Sequence, residues 1–229
     1  MCNPKATWAV LDGLCANKDV WWVAGWGSSE FSQPFLHALA LTQTRGQFTY
    51  YFPKVFKYYS VNLRKLFDHH DYLTHNFDCL IFPTATFNMG PNTISLQHAD
   101  RGDYFVGGCH IHSGGAFDHK LGGHIILFNL KRVIEFPLGS DIIIPSSTLT
   151  HGNTPIQPGE RRVSFTQYCS GGLFCYVAYG FWTLKDCAWS NPKLKEKMDL
   201  KADQHWKDAL GRFSKITELH ADHMKVFSK

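Results

Sequence analysis

The distribution of hydrophobic and polar residues predicts a β-rich region between Asp78 and Phe181. Short runs of β-branched, aromatic and aliphatic residues alternate there with Gly, Pro and Asn turns, at spacings of roughly ten residues. The predicted strands are Cys79–Phe87, Thr93–His98, Tyr104–His112, His124–Leu130, Arg132–Phe136, Asp141–Pro145, Arg162–Tyr168 and Leu173–Tyr179. This pattern is typical of a jelly roll or a sandwich, and it differs from the strand–helix alternation of βαβ folds.

The segments before and after this region are predicted to be mainly helical. Helices are expected over Ser32–Thr44, from Phe52-Pro53 to about Phe67, and from Pro192 to about Phe213, with a strand over Gln47–Phe52. Proline at the first position of the second helix is favourable, because its missing N–H would have no partner within the helix. We therefore expect an α+β chain forming one domain, with a support over 1–77, a β core over 78–184 and a helical tail over 185–229.

Composition places the chain among globular proteins. Of its 229 residues, 44% are hydrophobic and 18% are charged, and no apolar run is long enough to span a bilayer. Its seven cysteines include no Cys-x-x-Cys pair, which favours free thiols in a reducing compartment. With no apparent secretory signal, we expect an intracellular protein, in the nucleus or the cytoplasm.

The formal charge of +4 indicates no partner by itself, but the helix beginning at Pro53 carries a basic face. Four cations fall within about 100° of one another at 3.6 residues per turn: Lys54, Lys57, Arg64 and Lys65. One interpretation is a solvated face opposite the core. The other is a helix that contacts the phosphates of a nucleic acid.

The candidate chemistry begins with His98-Ala99-Asp100 in the β-rich region. Alternate residues of a strand share a face, so the imidazole and the carboxylate can converge on one ion. His151, on a later segment, would complete the two-histidine, one-carboxylate set of non-haem Fe(II) oxygenases. His220-Ala221-Asp222 repeats the tripeptide in the tail without a later partner, and we interpret that copy as incidental.

A candidate carboxylate receptor follows this set. Arg162 and Ser164 share one strand face, and a guanidinium with a neighbouring hydroxyl is well suited to a carboxylate. Arg161 is the alternative, but only Arg162 is in register with Ser164.

Several further motifs accompany these residues in a fixed order. They are Thr86-Phe87-Asn88-Met89-Gly90-Pro91, Gly122-Gly123-His124, Pro137-Leu138-Gly139-Ser140, Gly159-Glu160-Arg161-Arg162-Val163-Ser164-Phe165 and Gly171-Gly172-Leu173-Phe174. From about Phe52 to the tail, the chain resembles Fe(II)/2-oxoglutarate-dependent oxygenases of the TET/JBP-like branch, and a fungal family of such domains in particular.

The resemblance implies a double-stranded β-helix (jelly-roll) core, Fe(II) as metal, and 2-oxoglutarate and O₂ as cosubstrates. It implies that His98, Asp100 and His151 bind the iron. Arg162, helped by Ser164, would pair with the distal carboxylate of 2-oxoglutarate, and Asn88 is a candidate polar contact to it.

The resemblance also implies a nucleobase-containing substrate, with departures from the family pattern. Where enzymes of this branch that oxidise 5-methylcytosine carry a base-contacting asparagine, this chain has Asp103, and a base-reading histidine is matched by Ser170. The tyrosine that the family pattern has six residues after the arginine is present here as Tyr168, and it is a candidate platform on which a base could stack. His110 is a candidate residue of the pocket lining. His110 and His112 are also compatible with a pair of strand histidines that face one way near solvent.

Three functions stay open on the sequence. The first is oxidation of a modified base in DNA or RNA, with nucleic acid contacted through the basic helix. The second is the same chemistry on a free nucleobase, a nucleoside or another small molecule. The third is a non-catalytic binding module, and a cupin-like site holding a metal without 2-oxoglutarate is a further possibility.

Overall fold

The computed structural model describes residues 44–73 and 81–228, and it combines helices with antiparallel sheets. Two compact units are present. The β-rich unit spans Thr84–Cys169, and the helical unit takes its described residues from 44–73, 81–83 and 170–228. The helix predicted over Ser32–Thr44 lies outside the described residues except for its last position.

The helical unit contains seven described helices, bounded as follows: α1 Thr44–Tyr51, α2 Pro53–His69, α3 Gly171–Ala178, α4 Leu184–Ser190, α5 Pro192–Asp199, α6 Ala202–Leu210 and α7 Leu219–Phe227. The helix predicted from Pro53 is confirmed and ends at His69. Val55, Tyr59, Leu63 and Leu66 form its buried face, as the apolar spacing predicts.

Two strand predictions in this unit are wrong. Gln47–Phe52 lies largely in α1, where Phe48 is fully buried and stacks on Phe52 with ring centroids 5.3 Å apart. Leu173–Tyr179 lies largely in α3, which begins after Ser170, whose side chain accepts a hydrogen bond from the Gly172 backbone N–H. In both segments the aromatic and β-branched composition favours strand, and tertiary burial overrides that preference.

The β-rich unit contains seven strands: β1 Thr84–Asn88, β2 Cys109–Ala116, β3 Ile125–Leu127, β4 Arg132–Ile134, β5 Asp141–Ile144, β6 His151–Asn153 and β7 Arg161–Tyr168. They form a four-stranded sheet in the order β1-β7-β2-β5 and a three-stranded sheet in the order β4-β3-β6, with all pairs antiparallel. Each strand except β6 lies at least partly within a predicted one, with shifted ends.

The core of this unit takes residues from both sheets. Its buried members are Cys109 and Ile111 of β2, Ile144 of β5, Ile125 and Leu127 of β3, and Phe136. Ile134, Ile142 and Tyr168 pack against them. The inner faces of the two sheets therefore share one apolar layer.

The strand predicted over Thr93–His98 is instead an extended connection. It is held by isolated bridges near its two ends, Asn92 with Arg162 and His98 with His151. Conversely His151, predicted to lie on a loop, begins the short strand β6.

None of the described helices is both long and apolar enough to cross a bilayer. Cys109, Cys169 and Cys187 are buried free thiols, whereas Cys175 is disulfide-bonded. The prediction that all cysteines are free thiols is therefore wrong at Cys175.

Candidate metal and cosubstrate site

His98, Asp100 and His151 converge in the β-rich unit. One ligand atom from each lies within 4.8 Å of the other two. The Asp100 carboxylate places Oδ1 3.4 Å from His98 Nε2 and Oδ2 3.7 Å from His151 Nε2. The spacing leaves room between the three groups for an ion that each of them contacts.

The tautomers of both imidazoles are fixed by backbone carbonyls. His98 Nδ1 lies 2.7 Å from the Leu96 oxygen, and His151 Nδ1 lies 2.9 Å from the Leu149 oxygen. Because a carbonyl only accepts hydrogen bonds, each Nδ1 carries the proton and each Nε2 of a neutral ring presents a lone pair toward Asp100. Two lone pairs and a carboxylate facing one another favour a cation, and this arrangement orients the ligands for a metal.

Backbone pairing holds the two histidines at a fixed spacing. The His98 N–H donates to the His151 carbonyl at 3.0 Å, and the His151 N–H donates back at 2.8 Å. Gly152 makes this close approach possible, since a Cβ there would lie 2.7 Å from the Ser95 carbonyl oxygen. The relative position of the two imidazoles is thus set by main-chain contacts.

Arg162 lies on β7 with 3% of its surface exposed. Its Nη1 donates to the Thr93 carbonyl at 3.1 Å and to the Thr93 hydroxyl at 3.0 Å, while its Nε is buried without a hydrogen-bond partner. Burial lowers the pKa of this guanidinium to about 10. Within the described residues no carboxylate pairs with it, so a buried cation is available to an acidic ligand.

Ser164 and Asn88 adjoin Arg162. Ser164 is two residues along β7 on the same face, and the Asn88 side-chain amide donates to its hydroxyl at 3.0 Å. These three residues form a polar surface suited to a carboxylate; their contact with 2-oxoglutarate stays a prediction.

Asp103 lies beside Asp100 and is held by Ser146, whose hydroxyl donates to Asp103 Oδ2 at 3.0 Å. Burial raises the pKa of Asp103 to about 7; the Ser146 hydrogen bond opposes the rise and the Asp100 charge adds to it. Cys109 joins the same cluster, with its ligand atom within 4.8 Å of those of Asp100 and Asp103. Burial, together with the nearby carboxylates, raises the pKa of its thiol well above the usual range.

Tyr168 lies in this neighbourhood too. It packs against the core layer, and its hydroxyl lies 3.3 Å from the Thr86 hydroxyl. Burial raises its pKa, and the charges of Asp103 and Asp100 contribute to the rise. Ser170, the counterpart of a base-reading histidine in the family pattern, is buried and caps α3.

His110 and His112 face one way, but they are buried and not near solvent. His110 Nε2 lies 2.7 Å and His112 Nδ1 lies 2.9 Å from the same oxygen of Asp141. Burial alone would raise the pKa of Asp141, but the two imidazole hydrogen bonds outweigh it and lower that pKa to about 2. His110 is fully buried beside His112 and Asp141, so no part of its side chain is exposed to a pocket. Its role in lining a substrate pocket stays a prediction.

The basic face of α2 belongs to the helical unit. Lys54 forms an ion pair with Asp222 at 3.2 Å, whereas Lys57, Arg64 and Lys65 are exposed. Asp222 belongs to the incidental His-Ala-Asp copy, and it is buried against Lys54.

Sequence reasoning missed three residues of the site: Thr93, Ser146 and Cys109. Thr93 and Ser146 contact partners distant in sequence, Arg162 and Asp103, whereas Cys109 lies only six residues after Asp103. Ser146 does close the motif that begins at Pro137, directly after the predicted strand Asp141–Pro145, but the motif gave it no role.

Comparisons with known proteins returned distant structural similarity. No family model matches the chain, and a search of curated proteins found no match. Similar solved structures include NgTET1 in complex with 5mC DNA, at 16% identity and a TM-score of 0.38, covering 57% of this chain and 53% of that one. Another is the viral collagen prolyl hydroxylase vCPH from Paramecium bursaria Chlorella virus-1, solved as a 2OG complex, at 16% identity and a TM-score of 0.26, covering 47% and 68%. The chain thus spans about half the length of the NgTET1 structure.

Proposed function

We propose that this chain is an Fe(II)/2-oxoglutarate-dependent dioxygenase. The observation that carries the proposal is the convergence of His98 Nε2, His151 Nε2 and the Asp100 carboxylate within 4.8 Å, with both Nδ1 atoms turned to backbone carbonyls. Two imidazoles and one carboxylate are the ligand set of non-haem Fe(II) oxygenases, which leave coordination positions open for other ligands.

The second support is the buried Arg162. A guanidinium with an unpartnered Nε and no described acidic neighbour fits a dicarboxylate cosubstrate, and Ser164 and Asn88 add a hydroxyl and an amide beside it. When bound, iron and 2-oxoglutarate supply the oxidising chemistry: O₂ is consumed, 2-oxoglutarate becomes succinate and CO₂, and one oxygen atom enters a substrate C–H bond. The residues of this chain would hold the two groups side by side and limit water around Arg162.

For the substrate we propose a nucleobase-containing molecule. Asp103 adjoins the ligand Asp100 and has one carboxylate oxygen held by Ser146, which leaves the other to accept a hydrogen bond from an exocyclic amine. Tyr168, which packs against the core cluster that contains Cys109, would be the stacking surface. A base within a strand would have to be flipped out, or be met in single-stranded form.

The test combines metal binding with turnover. Asp100→Ala and His151→Ala each remove one of three protein ligands, so we expect both variants to bind Fe(II) or Mn(II) at least about 10-fold more weakly by calorimetric titration and to release no succinate. His220→Ala, in the incidental copy, is the matched control and should behave as wild type. Succinate release is compared with methylated oligonucleotides, nucleosides, free bases and no substrate. Normal metal affinity in both ligand variants would refute the assignment.

A further inference from the structure

We propose that Ser113 of β2 is a further cosubstrate-binding residue, whose hydroxyl donates a hydrogen bond to the distal carboxylate of 2-oxoglutarate beside Ser164 and Arg162. This inference rests on the proposed function and deepens it by adding a contact from a second strand. Ser113 is fully buried, and within the described residues its hydroxyl has no hydrogen-bond partner. A buried polar group in that state raises the free energy of the folded protein, and a ligand that accepts its hydrogen bond removes the cost.

The strand register places Ser113 on the face of the sheet that carries Arg162. Ser113 pairs with Ser164 of β7, and Ser164 pairs in turn with Asn88 of β1. Residues directly opposite on neighbouring strands share a face. Ile111, two residues earlier in β2, packs in the core between the two sheets, so this face is the inner one. One row of polar side chains therefore crosses three strands on the inner face.

Ser113 and Ser164 form a non-hydrogen-bonded pair of the antiparallel ladder. The Ser113 N–H donates to the Ser140 carbonyl at 3.0 Å, and the Ser113 carbonyl accepts from the Gly139 N–H at 2.7 Å. Both backbone groups of Ser113 thus point away from β7. In such a pair the Cα atoms are about 4.5 Å apart, and the side chains are closer than in a hydrogen-bonded pair. The turn that contains Gly139 and Ser140 therefore fixes the backbone of Ser113 next to Ser164.

The polar groups around this pair are hydrogen-bond donors without acceptors. The Asn88 amide donates to the Ser164 hydroxyl oxygen, and nothing in the described part of the chain accepts the hydrogen of that hydroxyl. Arg162 Nε is likewise buried without a partner. Two hydroxyls and a guanidinium on one face suit an anion, because carboxylate oxygens only accept hydrogen bonds. A buried water would satisfy one hydroxyl but would not balance the charge of Arg162.

Gly115 leaves Ser113 as the β2 side chain nearest to Arg162 along this face. Gly115 pairs with Arg162 and has no side chain, and a Cβ there would clash with the Arg161 carbonyl oxygen. Ser113 is the diagonal neighbour of Arg162, a relation in which residues are about 7–8 Å apart. A carboxylate that accepts one hydrogen bond at each oxygen covers a comparable span.

The experiment measures the dissociation constant of 2-oxoglutarate for the Mn(II)-loaded protein by calorimetric titration, under anaerobic conditions so that no turnover occurs. Ser113→Ala should weaken binding of 2-oxoglutarate about 10-fold or more, because it removes a hydrogen bond to a charged ligand. Pyruvate has the same 2-oxo acid end and lacks the distal carboxylate. Its affinity for the variant should therefore equal its affinity for the wild type.

Thr84→Val is the matched control. Thr84 also carries a buried hydroxyl that lacks a partner among the described residues, but it pairs with Tyr168 at the end of β1 remote from Asn88. This variant should bind 2-oxoglutarate as the wild type does. Without ligand, both variants should unfold at urea concentrations no lower than the wild type, because each loses a buried hydroxyl that has no partner.

Every outcome decides the proposal. Wild-type affinity of Ser113→Ala for 2-oxoglutarate overturns it and indicates a hydroxyl satisfied by water alone. Equal weakening of 2-oxoglutarate and pyruvate, equal weakening in Thr84→Val, or unfolding of ligand-free Ser113→Ala at clearly lower urea concentration also overturns it. Failure of the proposed function is distinguishable, because the wild type itself would then bind no 2-oxoglutarate, whereas failure of this inference alone leaves wild-type binding intact.

Discussion

Replacing Arg162 with methionine should stabilise the ligand-free protein while removing its response to 2-oxoglutarate. Depression of the Arg162 pKa from 12.5 to about 10 corresponds to about 3 kcal/mol against the charged form in the folded state. This cost to the stability of the folded state is fully present at neutral pH, because pH 7 lies below both pKa values. The variant also loses two hydrogen bonds to Thr93, which together contribute about 2 kcal/mol. The balance is a gain of about 1 kcal/mol in the free energy of unfolding of the variant. Methionine fills much of the volume of the arginine side chain, so no large cavity offsets this gain.

Urea unfolding with and without cosubstrate measures both effects. At 2-oxoglutarate concentrations about 100-fold above the dissociation constant, the wild type should gain about 2.7 kcal/mol and the Arg162→Met variant nothing, so the order of stability inverts. Arg161→Met, altered on the opposite face of β7, should keep the ligand-induced gain. The reasoning is refuted if the Arg162 variant is clearly less stable than wild type without ligand, or if 2-oxoglutarate stabilises both equally.

Two further predictions concern the scaffold. Gly152→Ala places a Cβ 2.7 Å from the Ser95 carbonyl oxygen, so it should lower the free energy of unfolding by about 1–3 kcal/mol in thermal or urea unfolding and weaken metal binding. Gly102→Ala is the control, because a Cβ at Gly102 meets nothing within 4 Å, and equal behaviour of the two variants would contradict the argument. Asp141→Asn should lose about 2 kcal/mol near pH 7, because the lowered pKa of Asp141 provides stability above about pH 4 that is lost as the pH falls through about 2. Urea unfolding over this pH range should show the difference from wild type shrinking on acidification, and a constant difference would count against it.

The helix from Pro53 could be predicted because local signals agree there: proline at the first position and an apolar stripe at helical spacing. The strand-like sequence Gly171–Ala178 could not, since a helix buried on several sides is apolar all round and loses its period. Ser170, a favourable helix N-cap, was the available local signal for that helix.

The site divides in the same way. His98, Asp100 and Arg162 stand out because their chemistry shows in short motifs with a definite order. Thr93 and Ser146 do not, because each matters through a partner distant in sequence, 69 residues away for Thr93 and Arg162 and 43 for Ser146 and Asp103. The pattern of residues along a single sequence does not predict such contacts, because they depend on how the two sheets are assembled.

The connection from Pro91 to His98 has a thermodynamic consequence. Its first part bonds to Arg162, through the Pro91 carbonyl and both oxygens of Thr93, and its last residue pairs with His151. If a metal binds at His98 and His151 and a dicarboxylate binds at Arg162, each ligand would order the same short segment, and the second to bind would meet a smaller entropic cost. By reciprocity, the factor by which the dicarboxylate would tighten metal binding equals the factor by which the metal would tighten binding of the dicarboxylate.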